Sequence, residues 1–129
     1  MKRQLIICNT TELVRLYADD IVYIKADRNY SIFYLVGGEE RNVLIQLGET
    51  EAMMNTQVGG GIFIRIGRSL IINRNYILFI CPKLQTLLLR DPYNHKHMKL
   101  KASDESLRKL KELIESEITN QEDNGQETV

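Results

Sequence analysis

The stretch FIRIGRSLIIN, residues 63–73, consists of two apolar runs separated by the polar triplet Gly67-Arg68-Ser69. Short runs rich in β-branched side chains are typical of β-strands, and a glycine-containing triplet between two of them is typical of a turn. We therefore predict a strand from Ile62 to Ile66, a turn, and a second strand from Leu70 to Asn73. This pair of strands decides the fold class, because it indicates an antiparallel β-structure.

The side chains of the first strand are expected to alternate between its two faces. Ile64 and Ile66 lie two residues apart, so both should point into the core. Arg65 lies between them and is therefore predicted to face outward.

Apolar runs of the same kind lie on both sides of this pair. Gly37-Gly38 separates two of them, and a glycine pair in that position indicates a hairpin. The predicted strands are Leu5–Cys8, Leu13–Tyr17, Ile21–Lys25, Tyr30–Val36, Arg41–Leu47, Tyr76–Cys81, Leu84–Arg90 and His95–Lys101. The chain thus reads as a single, mainly β domain.

Two helices are predicted within this β-rich pattern. Good helix formers with acidic residues in the first turn indicate a short internal helix over Glu49 to Asn55. A C-terminal helix begins after Ser103, a natural N-cap, and its apolar stripe recurs at spacings of three and four residues. The stripe consists of Leu107, Leu110, Leu113, Ile114 and Ile118. We place the domain at 1–118 and predict that the acidic segment 119–129 is a disordered tail.

Positive charge is concentrated in one segment of a chain whose formal net charge is zero. Residues 61–101 carry 8 basic and 1 acidic side chain, a net of +7, whereas residues 1–60 carry a net of −2 and residues 102–129 a net of −5. Clustered cations indicate a polyanionic partner, and a solvated basic face without a partner is the alternative. The cations are Arg65, Arg68, Arg74, Lys83, Arg90, Lys96, Lys99 and Lys101.

The N-terminus and the cysteines indicate a cytoplasmic protein. The apolar part of the N-terminal segment is too short for a signal peptide, and no apolar run approaches the ~20 residues of a membrane span. Cys8 and Cys81 are far apart and lie in apolar surroundings, so two buried thiols are expected. A redox-active pair would require that their strands be neighbours.

The sequence shows no arrangement of catalytic or metal-binding residues. His95 and His97 are the two histidines, and they are expected to be exposed in a basic turn rather than to bind a metal. The carboxylates cluster on predicted helices and loops, where solvation explains them. We therefore predict neither an enzyme nor a cofactor.

Three stretches resemble the LytTR family of DNA-binding domains. Residues 20–30 are similar to the family's strand of the form I-x-Y-I-E-A with the polar loop that follows it, and residues 63–73 to its most specific stretch, F-x-R-x-H-R-S-[YF]-[IL]-V-N. Residues 100–103, before the terminal helix, resemble the L-P-V-S-R-R element. The resemblance spans about residues 5 to 118. It implies an elongated sandwich of antiparallel sheets with one short internal helix and a C-terminal helix.

The family also implies a function and a set of contact residues. Its members are bacterial transcription regulators that place loops into successive grooves of double-stranded DNA, and a homodimer on paired sites is expected. When the family's contact positions are matched to this sequence, the residues expected to contact DNA lie in three segments. They are Arg28, Asn29 and Tyr30; Arg65, Arg68 and Ser69; and Lys101 and Ser103. Asn73 is more suited to holding the end of a strand than to contacting a base.

Two departures from the family pattern concern the contact loops. Gly67 stands where the family has histidine, and Asp104 and Glu105 stand where it has arginines. The acids favour an alternative function, a degenerate module that acts on a partner regulator by protein–protein interaction. A small β-rich enzyme or ligand sensor is a further alternative, and it would need a polar pocket that the sequence does not display.

Overall fold

A computed structural model describes the backbone of residues 3–125 and the side chains of residues 3–118. Its strands are β1 Gln4–Cys8, β2 Leu13–Tyr17, β3 Ile21–Asp27, β4 Tyr30–Leu35, β5 Glu40–Val43, β6 Phe63–Ile66, β7 Leu70–Asn73, β8 Ile77–Cys81, β9 Thr86–Arg90 and β10 His97–Lys101. Its helices are α1 Leu47–Gln57 and α2 Asp104–Gly125.

The strands form three antiparallel sheets. The central sheet has five strands in the order β5-β4-β3-β7-β6, and the flanking sheets are the pair β1-β2 and the three-stranded sheet β10-β9-β8. The predicted class, antiparallel sheets with one short internal helix and a C-terminal helix, is confirmed.

Both faces of the central sheet are covered, and each carries its own core. On one face β1, β2 and α1 pack around Phe33 and Ile71. On the other face β9 and α2 pack around Val22 and Ile72. Neighbouring residues of β7 therefore enter opposite cores, and all four of its residues are buried. This explains why the central strands read as continuous apolar runs instead of alternating ones.

The prediction for β6 is correct in its alternation and wrong in its environment. Ile66 is buried and Ile64 is half-buried against the α2 side of the sheet. Arg65 does point to the opposite face, but α1 covers that face, so the guanidinium meets a helix instead of open solvent. Alternation along one strand predicts that one of its faces meets solvent, but both faces of the central sheet are covered by other elements.

The region between β5 and α1 also differs from the prediction. A strand was expected to run to Leu47, but β5 ends at Val43. The backbone N–H of Ile45 donates to the carbonyl of Val43 at 2.9 Å, a three-residue turn that breaks the ladder. The internal helix starts two residues earlier and ends two residues later than predicted, at Leu47 and Gln57.

Ser103 caps α2 as predicted. Its Oγ accepts a hydrogen bond from the backbone N–H of Ser106 at 3.1 Å. The helix continues beyond Ile118 to Gly125, because an established helix gains one hydrogen bond for each residue it adds. The predicted disorder of 119–129 remains a prediction; residues 126–129 and the side chains from 119 onward lie outside the described part.

The prediction of two buried thiols is wrong for both cysteines. Cys8 is exposed on β1 and Cys81 is half-buried on β8, and both are free thiols. The two strands belong to different sheets, so the neighbouring strands that a redox pair requires are not formed.

Candidate nucleic-acid interface

Two hairpin turns lie at the same end of the central sheet. Arg28 and Asn29 connect β3 to β4 between the paired residues Asp27 and Tyr30. Residues 67–69 connect β6 to β7, and Ile66 pairs with Leu70. The backbone N–H of Ala26 donates to the carbonyl of Ser69 at 2.8 Å, which ties the two turns together although they are about forty residues apart.

The start of α2 lies beside the second turn. A Cβ built on Gly67 would stand 3.8 Å from the Oγ of Ser106, in the first turn of the helix. Lys101 ends β10 just before this helix, and the N–H of Ala102 donates to the carbonyl of Gln85 at 3.4 Å. The structure thus brings the three predicted contact segments together at one end of the molecule.

The predicted contact residues differ in how far they are free to meet a ligand. Arg65 is the partly buried one, and its guanidinium is engaged within the protein. Ser103 is exposed, but its hydroxyl is used by the cap of α2. The exposed members whose side chains have no such engagement within the described part of the chain are Arg28, Asn29, Tyr30, Arg68, Ser69 and Lys101.

The first turn contains a strained residue. Arg28 has a φ of 58°, in the left-handed region that a residue with a Cβ adopts at a cost of about 1–2 kcal/mol. A two-residue hairpin with positive φ at its first central position normally carries glycine there. The arginine at this position therefore places backbone strain at a predicted contact residue, and strained residues are often found at functional sites.

Arg28→Gly is therefore expected to leave the free energy of unfolding unchanged or to raise it by up to about 1 kcal/mol. The gain from relieved strain is offset in part by the greater entropy of glycine in the unfolded chain. Urea denaturation measures the difference. Gln85→Gly is the matched control, because Gln85 has a φ of 52° in the β8–β9 turn. A loss of several kcal/mol for Arg28→Gly alone would contradict the assignment of strain.

The second turn explains one departure from the family pattern. Gly67 has a φ of +60°, and a side chain there would meet no atom closer than 3.8 Å. Backbone conformation, and not lack of space, is thus what favours glycine over the family's histidine.

The guanidinium of Arg65 forms hydrogen bonds to the backbone of the 67–69 turn. Its Nε donates to the carbonyl of Gly67 at 3.1 Å and its Nη2 to the carbonyl of Arg68 at 3.0 Å. Its Nη1 donates to Glu51 Oε1 of α1 at 3.0 Å. The exposed Arg68 side chain therefore projects from a turn in which Arg65 binds both the carbonyl of Arg68 and that of the residue before it.

The cations of the basic segment do not form one patch. Arg74 pairs with Glu117 of α2, as Arg65 pairs with Glu51. Asp91 accepts a hydrogen bond from the N–H of Gly37 at 2.8 Å, which ties the β9–β10 turn to the end of the sheet opposite the contact turns. Arg90 and Lys96 flank that distant turn. The basic side chains are thus less clustered in the folded domain than they are along the sequence.

The structure adds two cations to the contact end. Lys25 is exposed and pairs with Leu70, one residue from the second turn. Lys83, in the β8–β9 turn, shares a groove with Asp104 and Arg108 of α2. Lys25 lies outside the basic segment. The one sequence signal that could have placed it at the contact end is its position two residues before the Asp27-Arg28-Asn29 loop.

The acids at the start of α2 have basic neighbours one helical turn on. Asp104 lies 3.7 Å from Arg108 and Glu105 lies 3.4 Å from Lys109. Acids in a first turn are favourable to the helix dipole. Their negative charge is therefore partly compensated, although exposed pairs of this kind are weak.

His95 and His97 are exposed, as predicted. Over the residues that the structure describes, no group of three or more His, Cys, Asp or Glu side chains is placed to hold a metal ion. None of the helices in the same part of the chain has the length and apolar character to cross a membrane.

The chain matches a known protein family over most of its length. Residues 11–115 match the model of the LytTr DNA-binding domain, so the chain belongs to the LytTR family. The fold is similar to that of the LytTr DNA-binding domain of a Bacillus cereus protein described as a methyl-accepting/DNA response regulator. The TM-score is 0.60 at 21% identity, with 88% of this chain and 98% of the other covered. No curated protein matches the sequence.

Proposed function

We propose that this domain is a bacterial transcription regulator that binds a specific double-stranded DNA sequence through its three converging segments. The observation that carries the proposal is their convergence: the turns 28–29 and 67–69 are joined by the bond between Ala26 and Ser69, and the start of α2 lies against Gly67. A regulator of this kind acts in the cytoplasm, and it would act as a homodimer if its sites are paired.

Each exposed side chain suits one kind of contact. Arg68 has a planar fork that bonds guanine O6 and N7, and Asn29 can pair with adenine. Arg28, Lys101 and Ser69 suit phosphate oxygens, which position a protein without reading the sequence. Tyr30 is 46% exposed beside Asn29 and offers both a ring face and a hydroxyl. Ser103 would act through the helix end that it caps, where free N–H groups favour an anion.

The alternative is a module that has lost DNA affinity and acts on a partner regulator. The acids Asp104 and Glu105 favour it, since the family has arginines there. Their neighbours Arg108 and Lys109 weaken this objection to DNA binding. No catalytic activity is proposed.

DNA affinity should fall with salt, with a slope set by the exposed cations at the contact end. Each neutralised phosphate contributes about −0.9 to the slope of log K against log salt, so a slope of about −4.5 per domain is expected if Lys25, Arg28, Arg68, Lys83 and Lys101 each neutralise one phosphate while Arg108 and Lys109 stay paired with the acids of α2. If all eight cations of the basic segment took part, the slope would be about −7. Fluorescence anisotropy over a salt series, with fragments selected from genomic DNA, measures it. Absence of binding at low salt would favour the partner-binding alternative.

A further inference from the structure

We infer that Arg65 is a positioning residue, oriented by Glu51, which holds the β6–β7 turn so that Arg68 reaches DNA. The inference rests on the proposed function and changes one part of it. The family resemblance implies a contact role for Arg65, whereas in the structure its guanidinium is bonded to the β6–β7 turn and to Glu51 of α1. Glu51, an acid, then supports binding to a polyanion.

The geometry of the clamp is specific to a guanidinium. Arginine presents its donors in a rigid planar fork, so Nε and Nη2 reach two carbonyls one residue apart, those of Gly67 and Arg68. Nη1 remains for the carboxylate of Glu51 at 3.0 Å. A lysine ammonium retains the charge but offers a single point instead of a fork.

The turn needs such a support. Glycine has more backbone freedom than any other residue type, and Gly67 adopts a positive φ at the first position of the turn. Its own carbonyl and that of Arg68 both accept hydrogen bonds from Arg65, which lies on the α1 side of the sheet. With both held, the Cα of Arg68 has a defined position, and less conformational entropy is lost when its side chain meets DNA.

Glu51 is itself held in place by the internal helix. Its neighbour Thr50 is fully buried, donates to the carbonyl of Gln46 at 3.2 Å, and lies 3.3 Å from the hydroxyl of Ser31 on β4. The carboxylate thus projects from a helix turn fixed to the central sheet. A partly exposed ion pair such as this one contributes little to the free energy of folding, so we assign to Glu51 the role of orienting the Arg65 guanidinium.

Two mechanisms predict opposite signs for Glu51→Gln. If the pair acts only through charge, removal of an anion near DNA tightens binding, because it removes a repulsion. If Glu51 orients Arg65, the variant loosens the turn and weakens binding. Glu49→Gln is the matched control, because it removes the same charge from an exposed position on the same helix.

We expect Glu51→Gln to weaken cognate binding about threefold to tenfold, because the glutamine oxygen can still accept from Arg65 but lacks the charge of the carboxylate, so the loss is that of an ordinary hydrogen bond. Glu49→Gln should bind as tightly as the wild type or slightly more tightly. Arg65→Lys should lose a similar factor, mainly on the cognate site, with an unchanged salt slope, because no phosphate contact is removed. The double variant should lose no more than Arg65→Lys alone, as expected for residues that act as a unit.

Amide hydrogen exchange supplies a readout without DNA. Faster exchange at residues 67–69 in Glu51→Gln, with the rest of the domain unchanged, is expected if the clamp orders the turn. The inference is overturned if Glu51→Gln binds at least as tightly as Glu49→Gln, or if Arg65→Lys lowers the salt slope by about one, which would make Arg65 a phosphate contact. Failure of the wild type to bind any DNA would instead refute the proposed function.

Discussion

Ile66→Ala should lower the free energy of unfolding by about 2–5 kcal/mol, the range for truncating a buried aliphatic side chain. Ile66 is 4% exposed and packs in the core between the central sheet and α2. Removal of the branched side chain loses transfer free energy and leaves a cavity, since the rigid sheet on one side and the helix on the other restrict collapse. Urea denaturation followed by circular dichroism measures the change.

Ile6→Ala is the control for this prediction. Ile6 is the same residue type on a strand, but it is 38% exposed on β1. Its truncation should cost less than about 1 kcal/mol, the range of β-propensity effects at partly solvated positions. Equal losses at the two sites would contradict the packing of β6 against α2.

Arg68→Ala should weaken binding to the cognate site by about 1–3 kcal/mol and binding to random DNA only slightly, if the guanidinium reads a base edge. The side chain is exposed, whereas its carbonyl is bound by Arg65, so the substitution removes the fork and keeps the backbone of the turn. Competition of specific and random duplexes for the same protein separates the two effects.

Lys101→Ala gives the contrasting result. A flexible ammonium at the end of β10 suits a phosphate, so its loss should weaken binding to all sequences by a similar factor and make the salt slope shallower by about 0.9. If Arg68→Ala behaves in the same way, Arg68 is a phosphate contact and specificity arises elsewhere. If neither variant affects binding, the converging turns do not face DNA.

The sequence alone predicted the class of the fold and most of its elements. Period-two alternation, β-branched runs and glycine-containing turns are local properties, and β2 and β7 were predicted with the bounds they have. The cap at Ser103 also depends only on residues three apart. Asn73 was expected to hold a strand end, and it does so: its Oδ1 accepts from the N–H of Asn75 and its Nδ2 donates to the carbonyl of Ile21.

Tertiary structure decided which charges are available at the contact end. A count along the chain treats Arg65, Arg74 and Arg90 alike, because spacing in sequence does not show which side chain finds an acid. Arg65 is bound to Glu51, Arg74 to Glu117, and Arg90 lies at the opposite end because Asp91 is bonded to Gly37. Each of these contacts joins residues at least fourteen positions apart. They exist because the central sheet is covered on both faces, which brings α1 to the back of β6 and α2 to its front, and no local pattern specifies that packing.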